Sequence, residues 1–321
     1  MSIRWLLAGL LTFGTAACGG ARDAATTADP PAGGTLSEGE MMVERGEFEQ
    51  AKVLFQGIVD QSPDSPKAHY YLALTQSKTG DTEGALSHYE KAIALDQKLM
   101  DAHINLGLLH MALGNLARAE EELKIYLDAS PDAADAHFNY GLIQEKMGKL
   151  DAAKSHYEQA ARINPEDPEP LFGLGELARK QGNHQEAVSL YEQARDLNPE
   201  LPDIVFAEGV ALLALDEAAR ACTLYKSLLE MSSPDLRIVS EAGRAIAKAD
   251  KACAVDLYRG AISLEDGYAV AHFYLANALA REKQFDEAAA HFERFIELAP
   301  GHKAAQTAKK SLEVCRAQGK P

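Results

Sequence analysis

Residues 100–133 read MDAHINLGLLHMALGNLARAEEELKIYLDASPDA, and residues 134–167 continue with ADAHFNYGLIQEKMGKLDAAKSHYEQAARINPED. The two 34-residue blocks align without a gap, placing Ala102 on Ala136, Gly107 on Gly141, Gly114 on Gly148, Ala119 on Ala153 and Pro131 on Pro165. A fixed period of this length marks a chain that stacks one supersecondary unit, with the core shared between neighbours instead of gathered at one centre.

Carried outward, the register fits eight units. They fall near 32–65, then 66–99, 100–133, 134–167 and 168–201 without insertion, then 202–235, about 236–268 with one residue lost, and 269–302. Each unit holds two helical runs, A and B. Small residues recur on the A run (Ala73, Gly107, Gly141, Gly175, Gly209, Ala276) and on the B run (Ala85, Ala119, Ala153, Ala187, Ala221, Ala288). Four residues further along B stand Tyr89, Leu123, Tyr157, Tyr191, Tyr225 and Phe292, large enough to fill the space that small residues leave between paired helices. Gly80, Gly114, Gly148 and Gly182 suit left-handed helix ends, Pro131, Pro165, Pro199 and Pro300 follow B runs, and Asn183 with Glu186 has capping-box spacing. The first, sixth and seventh units fit the pattern least well.

This pattern resembles the tetratricopeptide repeat (TPR). The resemblance implies an all-α, right-handed superhelical solenoid of about eight helix-turn-helix units over 35–302, with a C-terminal capping helix and tail at 303–321. In that family the A helices line the concave surface. Tyr70, Ile104, Phe138, Phe172, Phe206 and Phe273 then form one stripe along the groove, either open to a partner or packed between neighbouring A helices. Beside it, Asn105 and Asn139 occupy the position where superhelical members carry asparagines that bind peptide backbone. The Lys/Asn/Arg clamp of chaperone-type members is absent.

The first twenty residues, MSIRWLLAGLLTFGTAACGG, have a basic start at Arg4, an apolar run from Trp5 and small residues before Cys18. That is the anatomy of an export signal, too short to span a bilayer permanently. Thr15-Ala16-Ala17-Cys18 resembles a bacterial lipoprotein signal, which implies a signal peptide over 1–17, cleavage before Cys18, and diacylglycerol and palmitate-type acylation there. An ordinary signal peptide cut after Ala17 is the alternative. Gly19 rather than Asp follows, and under the enterobacterial sorting rule this implies the outer membrane, facing the periplasm. Residues 18–34 read as a lipidated cysteine and disordered tether with a reach of roughly 20 to 24 Å.

The formal charge of −16, or −17 once Arg4 leaves with the signal peptide, repels phosphate backbones, so nucleic acid is not expected as a partner. Four cysteines without CxxC spacing and ten histidines without HExxH give no metal site, and no cofactor is implied. His69, His103, His137 and His272 recur at the repeat period, which argues for packing over chemistry, and spacing supplies them no second ligand. Glu120, Glu121 and Glu122 read as a solvated face. Cys222 and Cys253 lie on B runs of adjacent units, either as a disulfide in an oxidising compartment or as free core thiols.

The expectation is therefore a non-catalytic, membrane-anchored scaffold that binds protein or extended peptide partners. It resembles pilotin-like lipoproteins of type IV pili and TPR lipoproteins of gliding-motility complexes. An adaptor for peptidoglycan hydrolases or other cell-wall enzymes is the alternative, and an accessory part of an enzyme ranks last.

Overall fold

A computed structural model describes residues 35–319. The signal peptide at 1–17, the Cys18 attachment point and the tether at 18–34 lie outside the described residues. Seventeen helices and no strand are found among those described: α1 (Leu36–Glu44), α2 (Phe48–Gln61), α3 (Pro66–Thr79), α4 (Thr82–Leu95), α5 (Met100–Ala112), α6 (Leu116–Ala129), α7 (Ala134–Lys146), α8 (Leu150–Ile163), α9 (Pro168–Lys180), α10 (His184–Leu197), α11 (Pro202–Ala214), α12 (Ala218–Ser227), α13 (Leu236–Ile246), α14 (Lys251–Leu264), α15 (Ala269–Arg281), α16 (Phe285–Leu298) and α17 (Ala305–Gln318). They form eight A/B hairpins followed by α17. No described helix is long and apolar enough to cross a membrane.

The helices fall into two compact units, one ending at Ile163 and the other beginning at Asn164. In the first, hairpins stack through α2 on α3, α4 on α5 and α6 on α7. In the second they stack through α10 on α11, α12 on α13 and α14 on α15, and α17 packs against α16.

Local chemistry explains the punctuation. Ser65 caps α3, accepting from the Ala68 amide at 3.3 Å, and Pro66 occupies the first turn, where its missing N–H costs nothing. At the A-helix ends, Gly114 and Gly148 take φ of 79° and 78°, and the following amides, Asn115 and Lys149, donate to the carbonyls of His110 and Gln144 at 2.9 and 2.8 Å. This closes the helix by a Schellman-type turn. Asp216 and Lys283 hold the same left-handed place in units six and eight, with φ of 61° and 63°. The capping box expected at Asn183 does not form: Asn183 is the N-cap of α10 but its side chain makes no capping hydrogen bond. Its backbone instead closes the preceding turn, with Asn183 N donating to Ala178 O at 2.9 Å.

Tyr89, Leu123 and Tyr157 in the first unit, and Tyr191, Tyr225 and Phe292 in the second, are fully buried. Burial of each such side chain contributes about 2 kcal/mol. The small A-helix residues are what admit them. A Cβ at Gly141 would sit 2.7 Å from the Tyr157 ring, and one at Gly175 would sit 2.6 Å from the Tyr191 ring. Repeat seven keeps the device: Gly243 faces Tyr258, whose ring would lie 2.5 Å from an added Cβ. The missing residue is taken from the end of α13, where the Ala249 and Asp250 amides both donate to Ile246 O at 2.9 and 2.8 Å and no left-handed residue is needed.

Candidate functional site

Each ring of the expected A-helix stripe packs against the B-helix aromatic nineteen residues later. Ring centroids are 5.6 Å apart for Phe138–Tyr157 in the first unit, and 5.7 Å for Phe172–Tyr191, 6.1 Å for Phe206–Tyr225 and 6.2 Å for Phe273–Phe292 in the second. One side of each A-helix ring is thus part of the hairpin interior. The four rings are nevertheless only half-buried, as is Ile104, so an apolar edge of each remains open to solvent. Tyr70 departs from the stripe. It is 6% exposed, because Tyr71 packs edge-on at 4.9 Å and Asn105 closes over its hydroxyl, and it belongs to the core.

Asn105 Nδ2 donates to Asp101 O at 2.8 Å and to Tyr70 Oη at 3.2 Å, while Asn139 Nδ2 donates to Asp135 O at 2.8 Å. The bond to the carbonyl four residues earlier fixes each amide on the helix surface. The Oδ1 atoms keep no protein partner among the described residues, and as carbonyl acceptors they can take a peptide N–H. Asn105 and Asn139 stand on α5 and α7, next to Ile104 and Phe138, so a polar acceptor and an apolar edge stand together in repeats three and four of the first unit.

The periodic histidines have partners after all, and the spacing that supplies them is nineteen, not a metal-ligand spacing. His69 Nδ1 faces His88 Nδ1 at 2.8 Å, and the pairs His137–His156 and His272–His291 repeat this at 2.9 Å. His103 faces Glu122 instead, at 2.6 Å. The other ring nitrogen of each A-helix histidine bonds a carbonyl in the preceding inter-repeat turn: Pro63 O at 2.9 Å, Gln97 O at 3.2 Å, Pro131 O at 2.9 Å and Asp266 O at 3.0 Å. A carbonyl only accepts, so Nε2 carries the hydrogen. In a neutral His–His pair the A-helix Nδ1 is then the acceptor and the B-helix Nδ1 the donor. Burial, and next the facing histidine, push the pKa of His88, His156 and His291 below the ordinary value. These groups clamp a turn, an A helix and a B helix together.

The acidic run is correspondingly not a uniform solvated face. Glu122 turns inward to His103 with its side chain 15% exposed, Glu120 pairs with Lys149 at 2.6 Å, and only Glu121, paired with Arg118, lies on the surface as expected.

In the second unit Cys222 and Cys253 are joined as a disulfide, with Cα atoms 5.9 Å apart, tying α12 to α14. Asp250 lies beside them, but its Oδ1 accepts from the Cys253 amide at 2.9 Å as the α14 cap. Cys315 is buried on α17 as a free thiol.

Comparison with known proteins gives the family. A tetratricopeptide-repeat model matches residues 104–168, 143–202 and 172–235, a second TPR model matches 78–114, and a third matches 269–302. A Pseudomonas putida protein named "Probable biofilm formation methyltransferase WspC" is 39% identical over 74 residues, which are 23% of this chain and 18% of that protein. Among solved structures, yeast Tom70 is similar with a TM-score of 0.57 and 19% identity over 84% of this chain and 59% of that one. A tetratricopeptide repeat protein from Parabacteroides merdae gives 0.55 and 15% over 88% and 97%, and Pseudomonas aeruginosa PilF gives 0.55 and 21% over 63% and 92%. At these identities the structural likeness speaks for the fold. Family matches together span 78–235 and 269–302, more than half of the 321 residues, and the chain belongs to the tetratricopeptide-repeat family.

Proposed function

We propose that this protein is a non-catalytic scaffold of the cell envelope that holds an extended segment of a partner protein against its A helices. The observation that carries the reading is the pairing of an open aromatic or aliphatic edge with an unpartnered amide oxygen on consecutive A helices: Ile104 with Asn105, and Phe138 with Asn139. An apolar edge takes side chains and the amide takes backbone N–H, so the surface suits a polypeptide with modest demands on its sequence. TPR folds serve as protein-interaction scaffolds, which supports the general role.

The envelope assignment rests on the sequence of 1–34. Export through the Arg4 to Ala17 signal and acylation of Cys18 would anchor the molecule at a membrane, since each buried methylene contributes about 0.8 kcal/mol and several chains hold where one does not. With Gly19 next, the outer membrane is the proposed address. The proposed task is to help assemble an envelope machine of the type IV pilus or gliding-motility kind. Mass spectrometry of the protein isolated from its native envelope tests the anchor. An acylated peptide beginning at Cys18 is expected, and an unmodified terminus at or beyond Cys18 contradicts it. Cys18→Ala should release the protein from the membrane fraction while leaving partner binding intact.

A further inference from the structure

In repeat five a carboxylate is held by a guanidinium and a phenol of the chain itself. Glu176, 6% exposed on α9, accepts from Arg179 Nε and Nη2 at 3.1 and 2.7 Å and from the Tyr191 hydroxyl at 2.6 Å. Two repeats on, the phenol is kept and the carboxylate is gone. Moving by 68 residues sends Gly175 to Gly243 and Glu176 to Arg244, and Gly243 packs against the Tyr258 ring as Gly175 does against that of Tyr191. Tyr258 is 2% exposed, and its hydroxyl has no hydrogen-bond partner among the described residues. Its oxygen, unlike that of Tyr89, is not sealed from water.

Two arginines act on this hydroxyl. Ser240 stands where Phe206 and Phe273 stand in the neighbouring repeats, and Tyr258 packs instead on Tyr274 of the next repeat, with centroids 5.6 Å apart. Arg244 lies over the Tyr274 ring with Cζ 5.4 Å from its centroid, a cation–π contact that holds the guanidinium there. Burial, and next Tyr274, push the pKa of the Tyr258 hydroxyl up, while the charges of Arg244 and Arg281 pull it back. Both arginines are exposed. The other seven arginines of the second unit each have a carboxylate partner, whereas Arg244 and Arg281 have none among the described residues. In a chain of net charge −16, two cations without an acid and a phenol without an acceptor lack the same group.

We propose that Arg244, Arg281 and Tyr258 form a binding site for the side-chain carboxylate of an aspartate or glutamate in a partner polypeptide, beside the Tyr274 ring. One carboxylate oxygen accepts from the phenol, as Glu176 Oε1 does from Tyr191, and the guanidinium groups supply charge-assisted donors. A glutamine side chain has the same shape but brings no charge to the two arginines, so the site prefers glutamate. The inference rests on the reading that a partner segment lies on the A helices, and it makes that segment acidic.

Titration of the full-length protein with the peptide acetyl-Ala-Ala-Glu-Ala-Ala-amide at low salt, followed by NMR of the arginine Nε–H signals, tests this. Saturable shifts of Arg244 and Arg281 are expected. Acetyl-Ala-Ala-Gln-Ala-Ala-amide should bind about tenfold more weakly, the worth of one hydrogen bond to a charged group. The same glutamine peptide with a free terminal carboxylate separates a chain end from an acidic side chain and should also bind more weakly. Arg244→Gln with Arg281→Gln, both on the surface, should abolish binding, and Tyr258→Phe, which copies Phe292 of repeat eight, should weaken it about fivefold. No saturable binding, a glutamine or free-terminus peptide bound as tightly as the glutamate peptide, or undiminished binding in either variant would each overturn the proposal. Asn105, Phe138 and Asn139 lie in the other unit and take no part in this test, so its failure is distinct from a failure of docking there.

Discussion

His137 and His156 face each other Nδ1 to Nδ1 at 2.9 Å across the α7–α8 hairpin. The same positions hold His69 and His88 in repeat two and His272 and His291 in repeat eight. In repeat five they hold Leu171 and Leu190, so the fold accepts either a histidine pair or an aliphatic pair at this point. One proton can be accommodated by reversing the direction of the hydrogen bond, but two turn both nitrogens into donors and set like charges face to face.

A pH dependence follows. Because His88, His156 and His291 have pKa values lowered in the folded state, first by burial and then by the facing histidine, the neutral form is the folded form. Their contribution is complete above the unfolded value of about 6.5 and is lost as pH falls below it through the folded values. Denaturation midpoints should therefore drop between pH 7 and pH 5. His137→Leu with His156→Leu, which installs the repeat-five pair, should reduce the slope, and an unchanged slope would remove the His137–His156 pair from the account.

Gly141→Val should destabilise the first unit by about 2 kcal/mol, in the range for forcing extra atoms into a filled core. The Tyr157 ring that an added Cβ would meet cannot retreat, being fully buried and held by its hydroxyl on Glu145 at 2.6 Å. Urea unfolding followed by circular dichroism measures the loss. Gly57→Ala, where an added Cβ meets nothing within 4 Å, is the control and should not destabilise.

Lys283 occupies a left-handed turn with φ of 63° where five other repeats place glycine. A side chain in that conformation costs about 1–2 kcal/mol, partly offset by the entropy glycine loses on folding. Lys283→Gly should accordingly stabilise the α15–α16 hairpin by about 0.5–1 kcal/mol, read as slower hydrogen exchange in those helices.

The Cys222–Cys253 bond closes a span of 31 residues between α12 and α14. The chain-entropy model assigns such a loop about 3–4 kcal/mol. Cys222→Ala with Cys253→Ala, or reduction of the native protein, should lower the stability of the second unit by that order while leaving exchange protection in α3–α8 unchanged.

The 34-residue register was legible because Gly/Ala against Tyr/Leu/Phe is a steric requirement of a closely packed hairpin, and sterics repeat with the fold. The first, sixth and seventh units matched the pattern weakly, and they hold the short helices α1, α12 and α13, of 9, 10 and 11 residues. The Gly243–Tyr258 contact was not legible, because the residue lost near the end of α13 shifts its register. The histidine pairs were missed for a different reason: nineteen residues is the distance across a hairpin, and only a measured helix pair reveals that positions so spaced touch. Once known, the spacing is plain in His69/His88, His137/His156 and His272/His291. Tyr70 misled because periodicity gives a helix face but not what closes over it, here Tyr71 and Asn105.

The central claim is that partners dock on the A-helix surface. It is tested most directly by placing a photo-crosslinking residue at Phe138 and, separately, at exposed Lys154 on α8, in the full-length protein in its native envelope. The account predicts a defined partner crosslinked from position 138 and not from 154, lost or reduced at least tenfold when Asn105→Ala and Asn139→Ala are added with the helical content intact. A partner captured equally well from 154, or undiminished capture from 138 in the double variant, would contradict it.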